Sequence, residues 1–181
     1  MASTEEHSTL DLPAFSPPPS VLIVVAPYYR AVADNLIVGA RGVLDRAGAA
    51  VDMIEVPGAL EIPTAIRLAS RSFEGFVALG CVIRGETTHY ETVCNDSSRG
   101  LTLLGLDGVC IGNGILTCET MDQAVVRAAP GEMDKGGGAA AAALHLIALA
   151  RRFRPTPMPP RPLDDVDDFL VAGAASTTRT A

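Results

Sequence analysis

Short apolar runs alternate with amphipathic stretches through the middle of the chain. The β-branched run at 20–26, SVLIVVA, predicts a strand. Residues 31–48 predict a helix because Val32, Leu36 and Ala40 share one face at helical spacing. The same order of strand and helix then recurs. Further strands are predicted over 51–56, 75–83 and 108–117, and further helices over 62–69, 88–104, 121–129 and 137–153.

The predicted strands are apolar on both faces and are separated by helices. Such strands are typical of a parallel sheet that helices cover on both sides, with right-handed crossovers connecting one strand to the next. The sequence therefore predicts an α/β fold, a three-layer α/β/α sandwich with a four-stranded parallel sheet. Ligands bind such sheets at the carboxyl ends of the strands. Here those ends are the segments 26–30, 57–61, 84–89 and 112–120.

Both ends of the chain differ in composition from the middle. Residues 1–20 and 154–181 are rich in proline, small polar residues and acids, and such segments bury too little apolar surface to offset the entropy of the chain. We expect a flexible N-terminal tail over 1–20, a single domain over 21–153, and a proline-rich acidic C-terminal tail over 154–181. Local docking of the apolar residues in 167–173 is an alternative for part of the last tail.

The formal net charge of −7 lies mostly in the two ends of the chain. No basic stripe appears, which argues against nucleic acid as a partner, and an acidic surface does not favour anionic membranes. The longest apolar stretch, 139–150, predicts a buried helix because it is too short to span a bilayer. Residues 1–20 lack the charge and apolar run of a signal peptide. The expected location is the cytoplasm, and the expected partners are small molecules and other protein chains.

The cysteines form no CxxC pair and have no histidine at metal-ligand spacing. They are Cys81, Cys94, Cys110 and Cys118. We therefore expect reduced, half-buried thiols, as in a cytosolic protein, and no metal site.

The segment RGETTH, 84–89, follows the third predicted strand and turns abruptly polar. Gly85 permits a sharp turn, and residues 86–88 lie where a helix begins, so their free N–H groups and the helix dipole favour an anion such as phosphate. A helix N-cap formed by one of the two threonines explains the same residues about equally well. His89 can exchange protons near neutral pH, although a surface histidine without a role is the simpler interpretation of that residue alone.

Four further side chains near the strand ends have both a functional and a structural interpretation. Arg127 could hold an anion or form a surface ion pair. Lys135, the only lysine, could form a Schiff base or be an ordinary charged amine at a helix start. Glu61 could bind a donor-rich ligand or serve the first turn of its helix. Tyr28 could stack on a planar heterocycle or pack in the core. The GNG at 112–114 does not fit a dinucleotide-binding motif.

Taken together and in order, several segments resemble the lumazine synthase family. They are VPGALEIP at 56–63, GCVIRGETTHYETVCN at 80–95, NGILTCET at 113–120, QAVVRA at 123–128 and DKGGGAA at 134–140. The pair VPGAxEIP and VIRGxTxH is highly specific for that family, and the resemblance covers residues 20–153. It implies a flavodoxin-like domain that assembles as pentamers, with sites between adjacent subunits.

The resemblance also implies a reaction, the cofactor-free condensation of 5-amino-6-(D-ribitylamino)uracil with 3,4-dihydroxy-2-butanone 4-phosphate. The products are 6,7-dimethyl-8-ribityllumazine, phosphate and water. His89 is the implied proton shuttle. The residues implied to hold the phosphate are Glu86, Thr87, Arg127 and Lys135. Those implied to line the pyrimidine and ribityl pocket are Tyr28, Ala59, Leu60, Glu61, Cys81, Val82, Ile83 and Asn113.

Two positions depart from the pattern of the family. Asn113 stands where many members have a second aromatic ring near the pyrimidine, and Gly138 replaces a frequent glutamate. These two positions motivate an alternative on the same fold, a flavin-binding or lumazine-binding storage protein with little turnover. A further alternative is a shell-forming or interaction scaffold in which both tails recruit partners. Family members also form decamers and sixty-subunit shells, and riboflavin synthase is an expected partner.

Overall fold

The structure is a computed structural model that describes residues 10–153. Within that range four strands are present, each within two residues of its predicted bounds. They are β1 (Ser20–Val25), β2 (Ala50–Glu55), β3 (Gly75–Ile83) and β4 (Cys110–Cys118). All pair in parallel, in the order β2-β1-β3-β4. The predicted four-stranded parallel sheet is therefore confirmed.

Five helices connect and follow these strands in the described part of the chain. They are α1 (Arg30–Arg46), α2 (Glu61–Ala69), α3 (His89–Leu106), α4 (Met121–Ala128) and α5 (Lys135–Phe153). Pro63 lies in the first turn of α2, where its missing N–H disturbs no helical hydrogen bond. Gly48, with a φ of +68°, follows α1 and turns the chain toward β2 in a conformation that glycine adopts without strain.

Helices cover both faces of the sheet and form two apolar cores. On one face α1, α4 and α5 bury side chains such as Leu36 and Leu144 against β1 and β3. On the other face α2 and α3 bury Ile62, Ile66 and Leu101. These two cores confirm the predicted three-layer α/β/α architecture. They also place the carboxyl ends of all four strands at one edge of the domain.

The expectation that every strand is covered on both faces does not hold for β2. All of its residues except Val51 are exposed, and Met53 and Ile54 keep 37% and 40% of their surface accessible. β2 is an edge strand whose main packing partner is β1, so its side chains lack the helix cover of the central strands. β4, at the opposite edge, alternates between buried residues and the exposed Asn113 and Thr117.

The apolar stretch 139–150 is also buried on one face only. Leu144 and Ile147 pack against the sheet, whereas Leu146 and Leu149 keep 40% and 46% of their surface exposed. α5 thus covers β3 and β4 with one face and presents an apolar outer face. Within residues 10–153 no helix is long and apolar enough to cross a membrane.

Residues 10–19 precede β1 without regular secondary structure. Leu12 and Phe15 pack against the core, and Arg151 donates a hydrogen bond of 2.7 Å to the Pro17 carbonyl oxygen. This part of the predicted N-terminal tail therefore contacts the domain. The predicted tail 154–181 lies outside the described residues, as do residues 1–9.

Candidate active site

A cavity of about 490 Å³ lies at the carboxyl end of the sheet. Most of the predicted site residues line it, although they lie up to 61 positions apart in the sequence. They are Tyr28, Ala59, Leu60, Glu61, Cys81, Val82, Ile83, Thr87 and His89. A larger groove of about 700 Å³ lies at the amino end of the sheet, but none of the predicted site residues borders it.

Three strand ends build the cavity. The segment after β1 brings Tyr28, the turn after β2 brings residues 57–61, and the end of β3 brings Cys81 to Ile83. The fourth predicted segment, 112–120, does not line it. The reason is the strand order, because β4 lies at the edge of the sheet beyond β3.

The turn after β2 forms one wall. Ala59 is buried with 8% of its surface exposed, and Leu60 keeps 37% exposed. Glu61 begins α2, and its backbone N–H donates to the Gly58 carbonyl oxygen at 3.2 Å. A carboxylate in the first turn of a helix interacts favourably with the helix dipole. Glu61 therefore serves its helix while also facing the cavity, so the two interpretations of this residue are compatible.

The start of α3 forms the opposite wall. His89 is the first residue of the helix, is exposed to solvent and lines the cavity. Its backbone N–H lies 3.4 Å from the Thr87 hydroxyl oxygen. Thr88 occupies the N-cap position, but its side chain makes no capping hydrogen bond. Thr88 is therefore the N-cap residue by position but not by hydrogen bonding. The N-terminal end of α3, with its free N–H groups and positive dipole end, is directed toward the cavity.

Cys81 forms a neutral part of the wall. Burial raises the pKa of its thiol from 9.0 to about 12, and the neighbouring Cys118 adds to the effect. A thiol with so high a pKa stays protonated at neutral pH and is a poor nucleophile. Cys81, Cys110 and Cys118 are buried rather than half-buried, and all four cysteines are free. The described residues contain no group of three or more potential metal ligands.

Tyr28 presents an accessible ring at the mouth of the cavity. It keeps 75% of its surface exposed and packs edge-on against Tyr29, with ring centroids 5.0 Å apart. The core-packing interpretation of Tyr28 is therefore wrong, because the ring remains available to a planar ligand. Tyr29 is the ring that packs against the core, and burial raises the pKa of its phenol.

Comparison with known proteins identifies the family of this chain. Residues 18–151 match the family model described as 6,7-dimethyl-8-ribityllumazine synthase. The chain belongs to this family. Proteins named 6,7-dimethyl-8-ribityllumazine synthase from Jannaschia sp. (strain CCS1) and Novosphingobium aromaticivorans are 60% and 55% identical to it. The first match covers 80% of this chain and 82% of the relative, and the second covers 73% and 96%.

A relative of the same name from Bartonella tribocorum is 53% identical over 75% of this chain and 92% of its own length. The resemblance predicted from the motifs is therefore confirmed over nearly the whole described domain. The synthase name on these relatives does not favour the alternatives of a storage protein or a scaffold.

Four of the site residues expected for a lumazine synthase lie outside the cavity. Glu86 is exposed in the turn before α3. Asn113 is exposed on β4, and its side-chain oxygen accepts a hydrogen bond of 3.0 Å from the Ile115 N–H. Lys135 is exposed at the start of α5. Arg127 donates to the Gln123 carbonyl oxygen of its own helix at 3.0 Å, so the surface ion pair considered for it is not formed within residues 10–153.

Several cavity residues were missed by the sequence analysis. Tyr90 and Val93 line the cavity together with His89, and Val93 lies one helical turn after His89 on the same face of α3. The spacing of four residues from His89 could have identified Val93. Tyr29 could not be separated from Tyr28 by pattern, because both follow the same strand and only the fold determines which ring turns inward.

Proposed function

We propose that the chain condenses 5-amino-6-(D-ribitylamino)uracil with 3,4-dihydroxy-2-butanone 4-phosphate and releases 6,7-dimethyl-8-ribityllumazine, phosphate and water. The observation that supports this proposal is the joint lining of one cavity by both specific motifs of the lumazine synthase family. The first motif contributes residues 57–61, and the second contributes Thr87 and His89 with the end of β3. The supporting comparisons are the family match and the identities of 60% and 55% to named synthases.

His89 is the proton carrier in this proposal. An imidazole titrates near neutral pH and can both accept and donate a proton during imine formation, phosphate loss and ring closure. The imine forms between the amine of one substrate and the carbonyl of the other, so no enzyme lysine and no cofactor is required. Much of the rate enhancement then comes from holding two substrates together in a cavity of about 490 Å³.

The phosphate binds at the start of α3. The backbone of Glu86 and Thr87 precedes a helix of 18 residues, whose positive end favours an anion. The pyrimidine and ribityl groups lie against Ala59 to Glu61 and Cys81 to Ile83, with Tyr28 over the ring. The apolar wall and neutral Cys81 thiol suit a planar heterocycle.

We further propose that subunits form a pentamer in which a neighbour completes each cavity. Asn113, Arg127 and Lys135 lie outside the cavity of their own subunit, which is expected if they serve the site of the next one. Exposed apolar residues on α4, Val125 and Val126, keep 44% and 41% of their surface accessible. An apolar surface of this kind, close to Arg127, suits burial against another subunit.

The function is tested by product analysis. Purified protein, incubated with both substrates, should release phosphate and 6,7-dimethyl-8-ribityllumazine in equal amounts, with the lumazine identified by mass spectrometry and absorbance. Each substrate alone with the protein serves as the control. Product formation no faster than in the protein-free mixture would reject the proposal. A location in the cytoplasm and an association with riboflavin synthase stay predictions.

A further inference from the structure

Arg84 connects three neighbouring elements beside the cavity. It directly follows β3, and its backbone N–H donates to the Cys118 carbonyl oxygen at 2.9 Å. Its Nε atom donates to Glu119 just after β4 at 2.7 Å, and its Nη1 atom donates to Glu91 on α3. The guanidinium carbon also lies 4.2 Å from the ring centroid of Tyr90. A single side chain thus holds the ends of β3 and β4 against the first turn of α3.

The partners of Arg84 on α3 are the two residues that follow His89. Tyr90 lines the cavity, and Glu91 belongs to the first turn of the helix. The hydrogen bond to Arg84 lowers the pKa of Glu91, so this carboxylate stays charged and paired over the working range of pH. The bonds from Arg84 therefore act on the helical turn whose first residue is the proposed proton carrier.

Stability and phosphate binding are weaker explanations for this arrangement. Exposed ion pairs contribute little to folding free energy, and the side chains of Arg84, Glu91 and Glu119 are 40%, 47% and 56% exposed. Two carboxylates neutralise the guanidinium charge and accept hydrogen bonds from its Nε and Nη1 atoms, so little net charge remains to attract a phosphate. Two charged hydrogen bonds and a ring contact do, however, fix the position of the first turn of α3 relative to the strand ends.

We propose that Arg84 is a positioning residue for His89. It ties the first turn of α3 to the ends of β3 and β4, and so keeps the imidazole directed at the substrates. The inference rests on the proposed function, because it gives Arg84 a role through the proton carrier. It adds a residue that the motif resemblance left without a role.

Arg84→Gln removes the bonds to both carboxylates while keeping a polar side chain. Misplacing a catalytic group by about 1 Å can lower a rate about a hundredfold. Because α3 still holds His89 in the variant, we expect a smaller loss, about tenfold in kcat, with nearly unchanged KM for both substrates. Arg84→Lys restores one of the contacts and should recover part of kcat. Arg151→Gln is the matched control, since Arg151 also pairs with a carboxylate, Glu74, and contacts a ring at the far end of the sheet. Its kcat should match the wild type.

A double-mutant cycle separates positioning from other effects. Added to His89→Ala, the Arg84→Gln substitution should lower kcat no further, because the group that it positions is absent. If kcat of the double variant falls by the product of the losses in the two single variants, the inference is overturned. A raised KM for the phosphate substrate at constant kcat would also overturn it, since Arg84 would then bind phosphate directly.

A readout without turnover keeps the inference separate from the proposed function. The imidazole resonances of the protein are observed by NMR, and His89→Ala assigns the signal of His89. Arg84→Gln should shift or broaden that signal and leave the His145 signal unchanged. An unchanged His89 signal would overturn the inference, whether or not the protein forms lumazine. If the wild type forms no lumazine but Arg84→Gln still shifts the His89 signal, the proposed function is rejected and the positioning role is retained.

Discussion

His89 combines exposure, a helix start and a place in the cavity wall. General acid and base catalysis contributes about a hundredfold or more to a rate. We expect His89→Ala to lower kcat about a hundredfold and still exceed the uncatalysed reaction, because the substrates remain held together. Steady-state absorbance of lumazine measures this change. His145→Gln is the control and should keep full activity, because His145 is a half-buried residue of α5 that does not line the cavity.

The raised pKa of the Cys81 thiol predicts that the protein loses stability at alkaline pH. In the folded protein burial holds the pKa of this thiol at about 12, against an ordinary value of 9.0. The unfolded chain therefore loses the thiol proton first as the pH rises, which favours unfolding. The contribution of the neutral thiol is complete below pH 9.0 and is lost as the pH approaches 12.

The apparent Tm, measured by thermal scans at increasing pH, reports this loss. We expect Tm to fall over that alkaline range in the wild type and to fall less steeply in Cys81→Ala. Equal slopes for the two proteins would mean that the Cys81 thiol ionises in the folded state as readily as in the unfolded chain.

Much of the site could be predicted because its residues cluster in short motifs. Residues 57–61 follow β2, and residues 81–89 comprise the end of β3 and the segment after it, so both motifs are expected at the same edge of a parallel sheet. The role of Arg84 could not be predicted in the same way. Its partner Glu119 lies 35 positions away, and the pairing depends on β3 and β4 being neighbours. The order of strands is not contained in the local pattern of apolar residues.

Among the elements, α5 packs against α1 through glycine. A Cβ on Gly136 would lie 2.1 Å from the Leu36 carbonyl oxygen, a backbone atom that cannot move without shifting α1. Gly136→Ala should therefore destabilise the fold by about 1–3 kcal/mol. Gly138, two positions further along the same helix, has nothing within 4 Å of its Cβ position. Gly138→Ala should stabilise by about 0.5–1 kcal/mol, since alanine favours the helix.

Chemical denaturation of the two variants beside the wild type measures both effects. The two substitutions are identical in chemistry and lie in one helix, so a difference in sign isolates the close approach of α5 to α1. Similar stabilities of the two variants would contradict the packing described for Gly136.

The sequence predicts the bounds of each strand, but it does not predict which strands are buried beneath helices. β1 and β3 are buried as their apolar runs predict. Met53 and Ile54 of β2 look equally apolar in sequence but are exposed, because β2 lies at the edge of the sheet. An edge position follows from the strand order, which arises from tertiary packing rather than from local preference.

At the scale of the whole molecule, the division of the site residues into two groups predicts shared sites. His89 lines the cavity, whereas Arg127 of the same chain does not. If a neighbour supplies Arg127, subunits carrying His89→Ala and subunits carrying Arg127→Ala can form intact sites when they assemble together. Co-expressed mixtures should then be more active than either variant alone.

Mixing the two variants after separate assembly is the control, and it should give only the average of the two activities. Co-assembled variants that also give only this average would show that each site is built from one subunit. Size-exclusion chromatography with light scattering would report the accompanying assembly, for which we expect five subunits or a multiple of five.

The most direct measurement of the central claim is the initial rate of lumazine formation with both substrates, compared with the same mixture without protein. The wild type should exceed the protein-free rate by a wide margin, and the excess should be proportional to protein concentration. His89→Ala should retain a small part of that excess. A wild-type rate equal to the protein-free rate would contradict the account, even if the protein bound each substrate.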